Sequence, residues 1–169
     1  TDSIEISRVA REYGASCNSL RPSAISGSTS PDIEWLNYEL ENYKHVDDDI
    51  IVIMRPTNPM RESKTILEAL DIFRSHPEAD SLRALRPVRK HPSKMWRRIN
   101  NGCEVEPFDT TFNELTKTHN HSSPTQLLEP LLIQDASLEI TTVRSVRKNL
   151  SLTGLRTISF QMPEYQGFV

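Results

Sequence analysis

The sequence predicts an α/β domain whose sheet is mainly parallel. Two observations lead to this class. Helical and strand-like segments alternate as α-β-α-β-α-β over the first half of the chain, which is the order that right-handed crossovers between parallel strands produce. Residues 50–54 form an unbroken apolar run, which is typical of a central strand buried on both faces.

Three amphipathic helices are predicted in this first half. The first covers residues 3–13 and ends at Gly14; the second begins at Ser30-Pro31-Asp32, where a capping serine, an early proline and an acid favour a helix start. The third covers residues 63–74. The apolar positions expected to face the core are Ile6, Val9, Ala10, Tyr13, Ile33, Leu36, Leu40, Tyr43, Ile66, Leu67, Leu70 and Phe73.

Strands are predicted in both halves of the chain. In the first half they cover residues 16–20, 50–54 and 79–85, and in the second half residues 94–98, 104–107, 131–134, 137–142 and 157–161. The polar stretch 110–123 is expected to be a mobile loop, and residues 143–149 a short helix.

Composition excludes several classes of protein. The 169 residues suffice for one domain, and the net charge of -3 gives no general attraction to nucleic acid or to an anionic membrane. No signal peptide is visible, and the longest aliphatic run is too short to span a bilayer. Cys17 and Cys103 are the two cysteines, which excludes a disulfide framework or a structural zinc site and predicts a cytoplasmic protein.

Polar residues crowd the end of the predicted central strand. Arg55, Thr57, Asn58 and Arg61 follow the apolar run, among two prolines that terminate the strand. The carboxyl ends of strands are where open α/β sheets bind ligands. Two guanidinium groups there suit an anionic ligand, because the planar fork grips a carboxylate or phosphate with two hydrogen bonds.

Several segments, taken together and in order, resemble the acylneuraminate cytidylyltransferase family (the CMP-sialic acid synthetases). The segments are Thr1-Asp2-Ser3, Tyr13-Gly14-Ala15, Arg21-Pro22, Ile25-Ser26-Gly27-Ser28-Thr29-Ser30-Pro31-Asp32-Ile33-Glu34-Trp35, Arg55-Pro56-Thr57-Asn58-Pro59-Met60-Arg61, Ala79-Asp80-Ser81-Leu82-Arg83, His91-Pro92-Ser93-Lys94-Met95-Trp96, Gln134-Asp135-Ala136-Ser137-Leu138-Glu139-Ile140 and Tyr165-Gln166-Gly167-Phe168. Each is weak alone, but their joint order covers nearly the whole chain.

The resemblance implies a fold and a reaction. The fold is a Rossmann-like, three-layer nucleotidyltransferase domain over residues 1–169, with residues 124–153 as a small dimerisation lobe. The reaction is cytidylyl transfer from CTP to an acidic nine-carbon sugar, which gives a CMP-sugar and pyrophosphate with the help of Mg²⁺. The implied partners are CTP, this sugar and a second copy of the chain, whereas nucleic acid and membrane are not expected.

The resemblance also implies site residues. On the sugar side they are Arg55, Thr57, Arg61, Lys94, Gln126, Asp135 and Ser137, and on the nucleotide side Asp2, Arg21 and Ser28. Catalytic and metal-binding residues are not assigned.

Structural roles compete with several of these assignments. An arginine after the strand can cap carbonyls or pair with an acid, Thr57 can stabilise a turn, and Asp2 can cap the first helix. Trp96 is expected in the core and His91 in a turn. The run Asp47-Asp48-Asp49 is interpreted as a solvated loop.

The sequence also departs from the family pattern. A Gly-, Arg- and Lys-rich phosphate loop is not present, Asp135 stands where relatives usually carry Asn, Ser28 where many carry Asp, and Val169 where a magnesium-binding acid is expected. Both ends look cut from a longer protein, although processing would look the same. These departures predict little or no CMP-sugar synthesis by this chain alone.

Two other functions stay open at this point. One is a degenerate, non-catalytic sugar-binding or interaction module. The other is a sugar-nucleotide-using glycosyltransferase; Asp47-Asp48-Asp49 contains an Asp-x-Asp pattern, but it precedes its strand, which disfavours this function.

Overall fold

A computed structural model describes residues 1–100 and 102–166. None of the helices in this part of the chain is long and apolar enough to cross a membrane. The helices are α1 (Ile4–Glu12), α2 (Asp32–Asn42), α3 (Ser63–Arg74) and α4 (Val143–Asn149); the strands are β1 (Ile50–Ile53), β2 (Ser81–Pro87), β3 (Trp96–Arg98), β4 (Val105–Pro107), β5 (Phe112–Asn113), β6 (Thr118–His119), β7 (Leu132–Thr142) and β8 (Thr157–Phe160).

The predicted helices are confirmed, with corrections to their ends and faces. The Ser3 hydroxyl accepts a hydrogen bond from the backbone N–H of Ile6 and caps α1, and Gly14 follows it at φ +91°. At α2 the predicted cap is wrong: Pro31 is the N-cap, and the Ser30 hydroxyl binds the N–H of Gly27 instead. The apolar side of α1 (Ile6, Val9, Tyr13) and Leu67 of α3 are exposed in the described structure.

The main sheet has the strand order β1-β7-β2-β8. The predicted α/β class is therefore confirmed, but the mainly parallel pairing is not. β7 runs antiparallel to both of its neighbours, β1 and β2, and only β2 and β8 pair in parallel among the described strands. Because β7 inserts between β1 and β2, β1 is a half-buried edge strand rather than the fully buried central strand that its sequence suggests.

Other predicted strands also need correction. Residues 16–20 form no strand, because no described strand lies beside them to complete their backbone hydrogen bonds; residues 15 and 17 bond back to α1 instead. The two pieces predicted around residues 131–142 are one strand, β7, which is distorted where Ala136 adopts φ 57°. The predicted loop 110–123 contains the β5–β6 hairpin.

Helices cover both faces of the main sheet. On the first face, α3 packs Ala69 and Phe73 against an apolar cluster that includes Leu82 and Leu138. On the second face, α2 and α4 form a separate cluster that includes Ile51. Successive residues of a strand point to opposite faces, so Ile50 and Val52 join the first cluster while Ile51 joins the second. The described chain is thus layered as helix, sheet and helix.

The second face of the sheet is polar where the first is apolar. Its inner positions on β2 and β7 are Ser81, Arg83, Glu139 and Thr141, all buried except the partly buried Arg83. Buried polar side chains must find partners within the protein or its ligands. This face therefore determines how the residues around the end of β1 are held.

Gly154 is expected to be intolerant of substitution, because a Cβ there would lie 1.9 Å from the Cβ of Asp80. Asp80 accepts hydrogen bonds from the N–H groups of Leu155 and Arg156, so it cannot move away without releasing this turn. We expect Gly154→Ala to destabilise the fold by about 2 kcal/mol or more, measured by urea unfolding. Gly27→Ala is the matched control, since its new Cβ would meet only the Ser30 hydroxyl at 3.5 Å; equal losses in both variants would contradict the expectation.

Candidate functional site

The candidate site lies where β1 ends and its chain enters the loop 55–62. Arg55 is the first charged residue after the strand, and its Nη2 lies 2.7 Å from Oδ2 of Asp32 and 2.8 Å from Oε1 of Glu139. Asp32 comes from the start of α2, where its Oδ1 also accepts a hydrogen bond from the indole of Trp35 at 3.0 Å. The predicted strand-end cation is therefore held between two acids of the protein itself.

Glu139 is the most buried member of this network, with 4% of its surface exposed. Its other oxygen, Oε2, lies 3.0 Å from Nη1 of Arg83 on the neighbouring strand β2. That contact is an ion pair, although its angle does not meet the criteria of a hydrogen bond. Arg83 also donates to the hydroxyl of Thr153. Charged side chains are rarely buried unless they are paired with an opposite charge, and the two guanidinium groups provide that pairing for Glu139.

The network shifts the ionisation of its members. Hydrogen bonding to Arg55 is the main cause that lowers the pKa of Asp32, and burial opposes it. The hydrogen bond to Asp32, assisted by Glu139, raises the pKa of Arg55 above its ordinary value. Burial lowers the pKa of Arg61, and no carboxylate contributes to that shift. The two predicted arginines thus have different environments.

Arg61 and Ser137 meet at the far side of the loop. Nη1 of Arg61 donates to the backbone carbonyl of Ser137 at 3.0 Å. One of its donors thus caps a carbonyl, which is the structural role that the sequence left open for this arginine. Ser137 is fully buried (0% exposed), and its hydroxyl has no hydrogen-bond partner among the described residues.

Asn58 is the second buried polar group without partners. It is 3% exposed, and neither the oxygen nor the nitrogen of its side-chain amide is hydrogen-bonded within the described chain. Its backbone N–H binds the carbonyl of Arg55, which fixes it in the strand-end loop. An unsatisfied buried polar group costs about 1–3 kcal/mol. Asn58 and Ser137 are therefore the groups that a bound polar ligand or water would satisfy.

Asp135 lies at the distortion of β7, two residues before Ser137. It is 7% exposed, and its Oδ1 accepts the backbone N–H of Ser137 at 3.2 Å. The left-handed conformation of Ala136 turns the strand between these two residues. Thr57, which is also predicted on the sugar side, is exposed in the same loop and makes no side-chain hydrogen bond with the described residues.

Lys94 and Gln126 lie on a different part of the chain, in short 3-10 turns at residues 92–94 and 125–127. The ammonium group of Lys94 donates to the carbonyls of Asn120, His121 and Ser123, so all three of its donors are occupied. Gln126 is exposed. The predicted turn role of His91 is confirmed, since it caps the first of these turns. The expectation that Trp96 lies in the core is wrong, because it is 54% exposed on β3.

On the predicted nucleotide side, Asp2 and Arg21 lie close together. Nη2 of Arg21 is 3.6 Å from Oδ1 of Asp2. Nε of Arg21 donates to the hydroxyl of Ser26. Arg21 also contributes to lowering the pKa of Asp32, which connects this pair to the strand-end network. Asp2 does not cap α1, because Ser3 does. Ser28 is exposed and forms no side-chain hydrogen bond in the described structure.

Binding of Mg²⁺, which the family resemblance implies, stays a prediction, because this ion commonly uses only one or two carboxylates together with substrate phosphates. Within residues 1–100 and 102–166, no group of three or more His, Cys, Asp or Glu side chains could hold a metal ion. The Asp47-Asp48-Asp49 run is a solvated loop as interpreted, with Asp47 and Asp48 paired to Arg147 and Arg144 of α4. The position of Val169 and the Gly167-Phe168 segment lie outside the described residues.

Sequence reasoning assigned no role at this site to Asp32, Arg83 and Glu139, and it placed Asn58 at the strand end without assigning it to the sugar. Asp32 was interpreted only as a favourable helix start, whereas it also pairs with Arg55. Glu139 carried a usable signal, because an acid between the buried Leu138 and Ile140 must have a cationic partner. Which arginine would provide it could not be known without the pairing of the strands.

Comparison with known proteins finds cytidylyltransferases of acidic sugars. No family model matches the chain. The CMP-N,N'-diacetyllegionaminic acid synthase of Legionella pneumophila is 28% identical over 153 residues, which cover 89% of this chain and 61% of that protein. The N-acylneuraminate cytidylyltransferase of Escherichia coli is 24% identical over 117 residues, which cover 69% and 27%. The chain is similar to acylneuraminate cytidylyltransferases over much of its length.

A third match broadens the range of sugars among these relatives. It is the pseudaminic acid cytidylyltransferase and UDP-2,4-diacetamido-2,4,6-trideoxy-beta-L-altropyranose hydrolase of Helicobacter pylori, 23% identical over 105 residues, which cover 62% of this chain and 20% of that protein. The predicted cytidylyltransferase relationship is confirmed, at low identity. The chain spans less than two thirds of the length of each of these three relatives.

In this cytidylyltransferase relative, Glu139 is expected to be essential for stability. Glu139→Gln would leave Arg55 and Arg83 facing each other without the carboxylate that separates their charges, and removing one partner of a buried ion pair costs roughly 3–5 kcal/mol. We expect urea unfolding to show a loss of unfolding free energy near the lower end of that range. Glu164→Gln is the matched control, because its pair with Arg89 is exposed and exposed pairs contribute about 0–1 kcal/mol. A small loss at Glu139 would contradict the proposed role.

Asp32 predicts a specific pH dependence. Its pKa is lower in the folded state, so its charge stabilises the fold above the ordinary aspartate pKa of about 3.9. That contribution is lost as the pH falls through the lowered folded value. We therefore expect the difference in unfolding free energy between wild type and Asp32→Asn to be constant above about pH 5 and to shrink below about pH 4. A difference that grows on acidification would contradict this sign.

Proposed function

We propose that this domain forms the sugar-binding part of an enzyme that transfers a cytidylyl group from CTP to an acylneuraminate-like acidic sugar. In this reaction a sugar hydroxyl attacks the α-phosphorus of CTP; the new oxygen–phosphorus bond forms as the bond to pyrophosphate breaks, and the hydroxyl proton is released. The support comes from the three relatives, whose names specify cytidylyl transfer to sialic, legionaminic and pseudaminic acids. The products would be a CMP-sugar and pyrophosphate.

The observation that carries this proposal is the pair of buried, partnerless polar groups beside Arg61. The amide of Asn58 and the hydroxyl of Ser137 lie at the carboxyl end of β1, where open α/β sheets bind their ligands. An amide and a hydroxyl both donate and accept hydrogen bonds, as do the hydroxyl and acylamino groups of such a sugar. In the proposed complex these groups orient the sugar, while the network around Glu139 holds the loop in place.

The role of Mg²⁺ remains a family expectation for the complete enzyme. Charge neutralisation at the phosphates is what the ion supplies in phosphoryl transfer. Among the described residues no group of three or more potential metal ligands is found, so no residue of this chain is proposed to hold the ion. The proposed contribution of this chain is to bind and orient the sugar through Asn58, Arg61 and Ser137.

A non-catalytic sugar-binding or interaction module is the second candidate. It is favoured by the fact that Arg55 and Lys94, two predicted ligand cations, are occupied by groups of the protein. A cation whose charge or donors are already taken up by groups of the protein has little left to offer a reacting phosphate. The two candidates differ in turnover but agree on sugar binding.

Binding and turnover measured in parallel test the proposal. We expect calorimetry to detect binding of N-acetylneuraminate but not of neutral N-acetylglucosamine, and an assay with CTP, Mg²⁺ and N-acetylneuraminate to show little or no pyrophosphate release by this chain alone. Ser137→Ala is expected to weaken binding about fivefold, the value of one neutral hydrogen bond. Ser159→Ala, on exposed β8, is the control. Absence of any sugar-acid binding would refute the sugar-binding function, whereas robust turnover would refute the non-catalytic candidate.

The protein is proposed to be a homodimer, as the family resemblance implies. The stretch 124–153 provides β7 and α4 to the core of the main fold. Its exposed apolar residues Leu127, Leu132, Ile133 and Leu150 are available for contact with a second copy. We expect light scattering to give twice the 19.3 kDa chain mass, and Leu132→Glu to reduce it. Leu155→Glu, also at an exposed leucine, should not change the mass; a monomeric wild type would contradict the proposal.

A further inference from the structure

A second cavity lies beyond the end of β2, on the far side of the β7 distortion from the loop 55–62. Its volume is about 330 Å³, at the lower end of the range of roughly 300–1,000 Å³ for small-molecule sites. We call it the β2–β7 cavity. The residues that define it are Arg86, Arg89, Asp135, Met162, Pro163 and Glu164.

Arg86 is the unusual member of this lining. It is the penultimate residue of β2 and pairs with Ile133 of β7. Its Nε is buried and has no hydrogen-bond partner, and no ion pair or hydrogen bond of its guanidinium is found among the described residues. A buried donor without an acceptor is costly, so this group gains most from an anionic ligand.

The cations that the sequence assigned to the sugar's acid group are less available. Arg55 is bound by Asp32 and Glu139, both within 2.8 Å. Lys94 is bound by three backbone carbonyls. Arg61 uses its Nη1 to bind the carbonyl of Ser137. Moving any of them to a ligand would break contacts that hold the fold, whereas Arg86 has no such contact to lose.

Asp135 determines how an acid could enter the cavity. It is more than nine-tenths buried and lines the same space, but no ion pair within 4.0 Å joins it to Arg86 in the described structure. A ligand carboxylate beside Asp135 would be repelled, because an ionised carboxylate accepts but does not donate hydrogen bonds. The cavity therefore favours one orientation, with the acid at Arg86 and the neutral, hydroxylated part at Asp135.

We propose that Arg86 anchors the carboxylate of the acidic sugar and that the β2–β7 cavity is the subsite for this group. The inference rests on the proposed sugar-binding function and names the residue that makes the site selective for acids. Met162 and Pro163 form an apolar wall for the carbon skeleton, and the exposed pair between Arg89 and Glu164, 3.3 Å apart, lies at the rim.

A change of charge on both the protein and the ligand tests this assignment. The probes are N-acetylneuraminate and its neutral methyl ester, titrated calorimetrically into the 169-residue chain. Arg86→Gln is expected to weaken binding of the acid about tenfold or more, as loss of a charge-assisted hydrogen bond does, and to change binding of the ester less than about twofold. Arg74→Gln removes a guanidinium from the exposed end of α3 and should change neither affinity.

A second variant tests the orientation of the ligand, with its carboxylate at Arg86 and its neutral part at Asp135. Asp135→Asn keeps an acceptor for the N–H of Ser137 while it removes the like charge, so it should tighten binding of the acid and affect the ester less. Thermal unfolding of both variants checks that the fold is retained.

The outcomes separate the two proposals. If the wild type binds the acid and Arg86→Gln binds it with the same affinity, the assignment of Arg86 is overturned while the sugar-binding function stands. An equal loss for acid and ester would also overturn it, because it would show a structural role. Weaker acid binding by Asp135→Asn would overturn the orientation. If the wild type bound neither probe, the sugar-binding function itself would fail.

Discussion

The buried carboxylate of Glu139 joins two strands of the main sheet to the loop after β1. It is buried on the polar face of the main sheet, between Arg55 of the loop after β1 and Arg83 of β2. A charge so far from water is tolerated only while its partners stay in place. The two guanidinium groups thereby fix β1, β2 and β7 relative to one another, and Asp32 extends the same network to the start of α2.

This constraint also shapes the candidate site. Because Arg55 is held by acids on both sides, it positions the strand-end loop and is not free to receive an anion. The groups left without partners are neutral in the case of Asn58 and Ser137 and cationic in the case of Arg86. Recognition of a sugar acid would then be divided, with hydrogen bonding near the end of β1 and charge recognition near the end of β2.

Local features of the fold were predictable from the sequence, and long-range ones were not. α3 was predicted over residues 63–74 and has those bounds, because periodicity and helix ends are written within a few neighbouring residues. The edge position of β1 and the insertion of β7 depend on pairing between segments some 90 residues apart. The apolar run of β1 could not reveal it, since a strand covered by helices on both faces reads the same at an edge or at the centre.

The same limit applies to the site. The residue types at the end of β1 indicated the polar, cationic region that lies there, whereas their role in binding a ligand stays a prediction. The partners that decide which cation is available come from α2, β2 and β7, and their contacts appear only after the chain has folded. Arg86 illustrates this, because in the sequence it is one of several arginines between residues 83 and 89. Among the described residues, what distinguishes it is a buried Nε without a hydrogen-bond partner.

The central position of β7 has a consequence for synthesis of the protein. β1 and β2 do not pair with each other, and each must wait for residues 132–142 before its hydrogen bonds with β7 can form. Contacts between such distant segments slow folding, and unpaired strand edges expose a nascent chain to aggregation. While the ribosome is still adding the roughly 80 residues between β1 and β7, the first half of this domain would therefore be a client for chaperones that shield strand edges.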